Sequence, residues 1–124
     1  MGRGPREAVT LSAPKVASHF LRSAPAVVAT YEAILKAARA LGPVEEDPKK
    51  TSIHLNRDTA FAGIATRKDS LILTLKSDHS VRSARIHRQE QVSAKRWHLE
   101  IRLAAPAEVD AEIRKWLAAA YAIS

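Results

Sequence analysis

Residues 97–103, Trp97-His98-Leu99-Glu100-Ile101-Arg102-Leu103, decide the fold class. Trp97, Leu99, Ile101 and Leu103 fall at every second position, and Arg96, His98, Glu100 and Arg102 fill the places between. Period-two alternation puts the apolar residues on one face of a strand and the charges on the other. One face is made for a core and the other for water. Upstream, Leu71-Ile72-Leu73-Thr74-Leu75 repeats the pattern, with Leu71, Leu73 and Leu75 on one face. Ala60 to Thr66 reads as a small-residue strand around Phe61 and Ile64, and Ser52-Ile53-His54-Leu55 alternates as well. Asn56-Arg57-Asp58 and Arg67-Lys68-Asp69 are turn chemistry between these runs. Links this short imply an antiparallel meander.

The flanks change period. Val27, Tyr31, Ile34, Leu35, Ala38 and Leu41 recur at spacings of three and four, the mark of a helix with one apolar stripe. Pro25 suits its first turn, with Ser23 as the expected cap, and Gly42-Pro43 stops it. At the far end, Pro106 is expected to open a final helix buried through Val109, Ile113, Trp116, Leu117, Ala120 and Tyr121. A short helical turn is expected around Val16 to Leu21, tucking Phe20 and Leu21 under the body. Val44 to Lys50 reads as a connector, and residues 77–93 give no clear period, with Ile86 as their one strong inward candidate. The order helix, strands, helix defines an α+β fold. We expect a two-layer sandwich whose antiparallel sheet of about four to five strands is covered on one face by an N-terminal and a C-terminal helix. Residues 1–14, mixing Gly, Pro and Arg, are expected to be a flexible leader, with one domain over 15–124.

The chain's 124 residues suffice for one core. It has no cysteine, which removes disulfides, zinc-thiolate sites and thiol nucleophiles. No apolar run is long enough for a bilayer, and no apolar stretch follows Arg3 and Arg6 as a signal peptide requires. A cytoplasmic location without a membrane partner is the expectation. The formal net charge of +7 favours polyanionic partners through long-range attraction and counterion release.

The cations form two groups. Lys49 and Lys50 precede the strand at Ile53, and Arg67 and Lys68 fill the turn before Leu71. In a meander these four meet at one edge of the sheet, where Ser52 and His54 extend the patch. Charge-assisted hydrogen bonds would let it hold phosphate. The second group, Arg82, Arg85, Arg88 and Arg96 with Lys76, Lys95 and Arg102, is expected to line the open face of the sheet. A solvated charged face is the plain alternative for both groups.

His19-Phe20, the run Leu41-Gly42-Pro43-Val44, Pro48-Lys49-Lys50-Thr51-Ser52-Ile53, Phe61-Ala62 with Arg67-Lys68, and Trp116-Leu117 with Ala120-Tyr121 together resemble the bacterial domain-of-unknown-function 5655 family, DUF5655. The resemblance brings no established activity. Some members resemble chains with a zinc-binding N-terminal segment or with attached nuclease-like or DNA-associated modules. That implies a nucleic-acid-linked role by association, while the leader here lacks the cysteines of the zinc pattern.

Catalytic signatures are missing. Ser52, Ser70 and Ser93 have no nucleophile elbow, and the four glycines make no phosphate cradle. Glu100-Ile101-Arg102 has only a passing likeness to the acid-x-base strand of metal-dependent nucleases. The five histidines show no helical two-His spacing, and the cations around them repel a divalent ion, so neither metal nor cofactor is expected. The expectation is a non-catalytic domain that binds nucleic-acid backbone through Lys49, Lys50, Arg67, Lys68, Arg82, Arg85, Arg88 and Arg96. The alternatives are an anionic small molecule held at the basic edge with Ser52 and His54, or a protein-interaction surface. The oligomeric state is open.

Overall fold

In the computed structural model, which describes residues 14–124, six antiparallel strands form one sheet. They are β1 (Glu45–Pro48), β2 (Ile53–Asn56), β3 (Ala60–Thr66), β4 (Leu71–Ser77), β5 (Ile86–Ser93) and β6 (Arg96–Leu103). Their order across the sheet is β1-β2-β3-β4-β6-β5. Three α-helices accompany them: α1 (Pro14–Ser18), α2 (Pro25–Arg39) and α3 (Ala111–Ala122). The leader expected over 1–14 lies outside the described residues, apart from Pro14, which opens α1.

The fold is α+β, but the sheet is wider than the four to five strands read from the sequence. The two unforeseen strands carry no apolar alternation. β1 is Glu-Glu-Asp-Pro, read as a connector, and its register pairs Glu46 with Leu55 on the core side. Glu46 tolerates that place because the Tyr31 hydroxyl donates to its Oε2 at 2.6 Å and Arg39 lies 3.6 Å from Oε1. β5 lies at the opposite margin of the sheet, and its residues are exposed except half-buried Ile86. Backbone pairing through the tight β5–β6 hairpin, where Ser93 faces Arg96, holds it in place. A strand held by its backbone leaves no periodic trace in the side chains.

Register builds the core. Ile53, Ile64, Leu73 and Ile101 lie side by side across β2, β3, β4 and β6. A second row runs Leu55, Ala62, Leu75, Leu99, and Leu71 stands opposite Leu103. All are buried, and they share one apolar cluster with Val27, Tyr31, Ile34 and Leu35 of α2 and Ile113, Leu117, Ala120 and Tyr121 of α3. Burial of each large aliphatic side chain contributes about 1.5–3 kcal/mol.

The helix ends differ in detail from expectation. Ser23 does not cap α2; Ala24 holds that position without a side-chain bond, and Ser23 Oγ donates to the Arg67 carbonyl at 2.7 Å. Pro106 opens only a 3-10 turn over Pro106–Glu108. α3 begins after Asp110, whose carboxylate accepts the Ile113 N–H at 3.2 Å, the usual cap chemistry. Phe20 is buried as expected, but Leu21 is 83% exposed. Gly42 has φ +151°, and a Cβ there would collide with the Tyr121 hydroxyl, which donates to the Pro43 carbonyl at 3.0 Å. A side chain at Gly42 is thus barred by both backbone and space.

Burial, together with the Glu46 carboxylate, pushes the Tyr31 hydroxyl well above the ordinary phenol range, so it stays a donor. Tyr31→Phe leaves a buried carboxylate short of one partner. It should cost about 1–3 kcal/mol in urea unfolding while leaving the helical circular dichroism unchanged.

Candidate functional site

Two places on the surface gather polar side chains, and each follows from the sheet register. Ile53 of β2 pairs with Ile64 of β3, and Thr66 pairs with Leu71 of β4. The β1–β2 and β3–β4 turns therefore emerge at the same end of the sheet. Lys49 and Lys50 lie in the first turn and Arg67 and Lys68 in the second. The segment after α1 ties the turns together. His19 Nε2 donates to the Lys49 carbonyl at 2.9 Å, and Thr66 Oγ1 donates to the His19 carbonyl at 2.5 Å. The Ala24 N–H donates to the Lys68 carbonyl at 2.7 Å. A concavity of about 440 Å³ opens here, lined by Ser18, His19, Leu21, Arg22, Ser23, Thr66, Arg67 and Lys68.

Within this end, Lys49 is engaged by Asp47 at 2.9 Å, a contact that holds the Asp47 carboxyl below its ordinary range. Arg22, Lys50, Arg67 and Lys68 are exposed and have no acidic partner among the described residues. Arg67 Nη1 turns back to the Thr66 carbonyl at 3.1 Å. Arg22 lies outside every strand and so has no place in the strand pattern; the bonds of His19, Ser23 and Ala24 to the two turns bring it alongside.

The second place is the sheet face opposite the apolar rows. One row crosses all six strands: Asp47, His54, Gly63, Thr74, Glu100, Arg88. The next pairs Lys76 with His98 and His98 with Glu90. A concavity of about 350 Å³ lies on this face, and Ser52, His54, Gly63, Thr74, Lys76, His98 and Glu100 are among its lining residues. Ser52 and His54 thus belong to this hollow, and Lys50 does not line it. The signal for Thr74, Lys76, His98 and Glu100 was present as the wet half of the alternation. The gap at Gly63 needed the register.

Arg82, Arg85, Arg88 and Arg96 do not line the concavity beside the Arg67 turn. Arg85 Nη1 lies 2.8 Å from Asp110 Oδ1 and 3.3 Å from Glu112 Oε1, and Nη2 donates to the Glu108 carbonyl at 2.8 Å. It anchors β5 to the start of α3. Arg88 stands 3.5 Å from Glu100 and 3.9 Å from Glu90. Arg96 lies at the end of the sheet opposite the Arg67 turn, beside the β5–β6 hairpin, and donates to the Lys95 carbonyl at 3.0 Å. Arg82 is exposed in the loop before β5. No group of three or more His, Asp or Glu among the described residues is placed to hold a metal ion. No helix among them is long and apolar enough to cross a membrane.

The class this geometry defines is a basic α+β domain with a polar sheet face and a cationic end. The chain matches the family described as a domain of unknown function, DUF5655, over residues 16–124, and it belongs to that family. None of the curated proteins and none of the solved structures compared with it matches.

The Arg85 guanidinium, followed by the Ile113 N–H, holds the Asp110 carboxyl below its ordinary value. A depressed carboxylate contributes stability above its unfolded pKa of about 3.9 and loses it as pH falls through the lower folded value. Asp110→Asn keeps a capping oxygen and removes the charge. Its melting temperature should fall below that of the parent at about pH 7, with the difference closing as the melts are taken down to about pH 2.

Proposed function

We propose that this domain binds the phosphate backbone of a nucleic acid, without reading bases, through its cationic end. The observation that carries the reading is the set of exposed cations Arg22, Lys50, Arg67 and Lys68, which have no acidic partner among the described residues and come from three separate segments joined through His19. Backbone-directed cations are sufficient for binding of this kind. The hydroxyls of Ser23 and Thr66 already bond to main-chain carbonyls, which holds the turns in place. Lys49, shared with Asp47, adds to the field. Arg82 and Arg96 attract a polyanion at longer range. Arg85 and Arg88 are held by carboxylates and contribute little.

Base stacking has no platform here. Phe61 is buried and Trp97 faces the apolar side of β6, opposite Ser77. Single strands therefore hold no advantage over duplex. We also infer that α2 and α3 form one layer over the sheet, leaving the opposite face to solvent or a ligand; the shared apolar cluster supports that two-layer arrangement. The reading implies a non-catalytic protein of the cytoplasm.

Fluorescence anisotropy with a labelled DNA duplex tests the proposal. Log Kobs against log salt should have a slope of about −3 to −4, near −0.9 per phosphate contacted. The combined variant Lys50→Ala, Arg67→Ala, Lys68→Ala should make that slope shallower by about 2.7. Arg85→Ala should leave it unchanged. Absence of binding at low salt, or an unaltered slope in the triple variant, overturns the reading. Stabilisation by a phosphorylated metabolite in place of duplex would reassign the same cations to a small anion.

A further inference from the structure

The concavity on the polar sheet face has chemistry that backbone binding does not use. Lys76 of β4 stands opposite His98 of β6, and Glu100, two residues along β6, is its diagonal neighbour. Such pairs lie about 7–8 Å apart between Cα atoms. Lys76 is half-buried; its ammonium donates to Thr59 Oγ1 at 2.8 Å and has no carboxylate partner among the described residues. Burial, with the Arg96 cation adding to it, lowers its hold on the proton. A partly desolvated cation without an anion carries a cost that a bound anion relieves.

Glu100 supplies the opposite charge. Arg88 approaches its Oε2 at 3.5 Å from the β5 side, and the carboxylate also lines the hollow. On the side of Thr74 away from Glu100 the floor is low. Gly63 stands between His54 and Thr74 in the cross-sheet row, and a Cβ there would meet only His54 Cδ2, at an ordinary 3.7 Å. The volume of about 350 Å³ is at the small end of ligand sites. A negative carboxylate in the hollow repels a polyphosphate, which separates this place from the cationic end.

We propose that this hollow binds a small zwitterion, with its anionic group on Lys76, its ammonium on Glu100, and its short aliphatic body over Thr74 beside the open floor at Gly63. The site is distinct from the phosphate-binding end, and either can fail without the other.

The test uses the whole chain and amide NMR titration. The probes are γ-aminobutyrate and phosphoethanolamine, each carrying both charges, against butyrate and butylamine, each carrying one. Both zwitterions, or one of them, should give saturable shifts centred on Gly63, Thr74, Lys76, His98 and Glu100. The difference between the two reports whether carboxylate or phosphate is preferred. Each single-charge probe should bind roughly tenfold or more weaker. Gly63→Val fills the hollow in a strand where valine is at home and should abolish the shifts without loss of melting temperature. Lys76→Met should do the same by removing the charge, and keeps the test intact if Gly63→Val misfolds. Lys50→Ala should change nothing. No saturable shift with either zwitterion, equal binding of butyrate, or unchanged binding by Lys76→Met overturns the proposal.

Discussion

The register that sets Ile53, Ile64, Leu73 and Ile101 beside one another governs the rest of the molecule. Side chains alternate across a sheet, so a slip of one residue would turn the buried row to water and the polar row inward. The apolar row cannot pay that penalty four times over, and pairing is held to one solution. The polar row is the by-product of the same constraint. Once the isoleucines and leucine are aligned, His54, Gly63, Thr74 and Glu100 have no choice but to line up on the reverse side. The hollow around Gly63 is therefore as well positioned as the core.

The cationic end rests on a different kind of bond. Its turns project beyond the sheet, and their carbonyls are fastened by His19, Ser23 and Ala24 from the segment between α1 and α2. Ser23 illustrates the change of role. Its place before a proline-led helix suggests a cap, yet its hydroxyl reaches across to the Arg67 carbonyl. A short polar side chain bonds whichever backbone group lies nearest, and tertiary structure sets which one that is.

Much of the fold was legible because β2, β3, β4 and β6 carry large buried residues at alternate positions over part of their length, and α2 and α3 bury a stripe. Burial leaves a period in the sequence. β1 and β5 were not legible because hydrogen bonds to their neighbours hold them and such bonds are indifferent to side-chain type. The Glu46 carboxylate facing Tyr31 is the plainest case: an acid at an inward position reads as loop until its buried donor is known. The candidate site was legible in part for a related reason. Lys49, Lys50, Arg67 and Lys68 were placed at one end by turn lengths alone, whereas Arg85 is held at the start of α3 and Arg88 is carried to the sheet's margin by a strand order in which β6 lies between β4 and β5. Nothing in the residues 77–93 foretells that insertion.

That same strand order decides how the sheet ends on each side. One margin is β1, four residues long, acidic, and closed by Pro48, which offers no N–H. The other is β5, whose outward positions include Arg88 and Glu90. A foreign strand seeking to extend the sheet would meet a missing donor and carboxylates at one border, and a fringe of opposed charges at the other. Self-templated growth into fibrils, the standing hazard of an open sheet, is thereby discouraged by the two strands that contribute least to the interior.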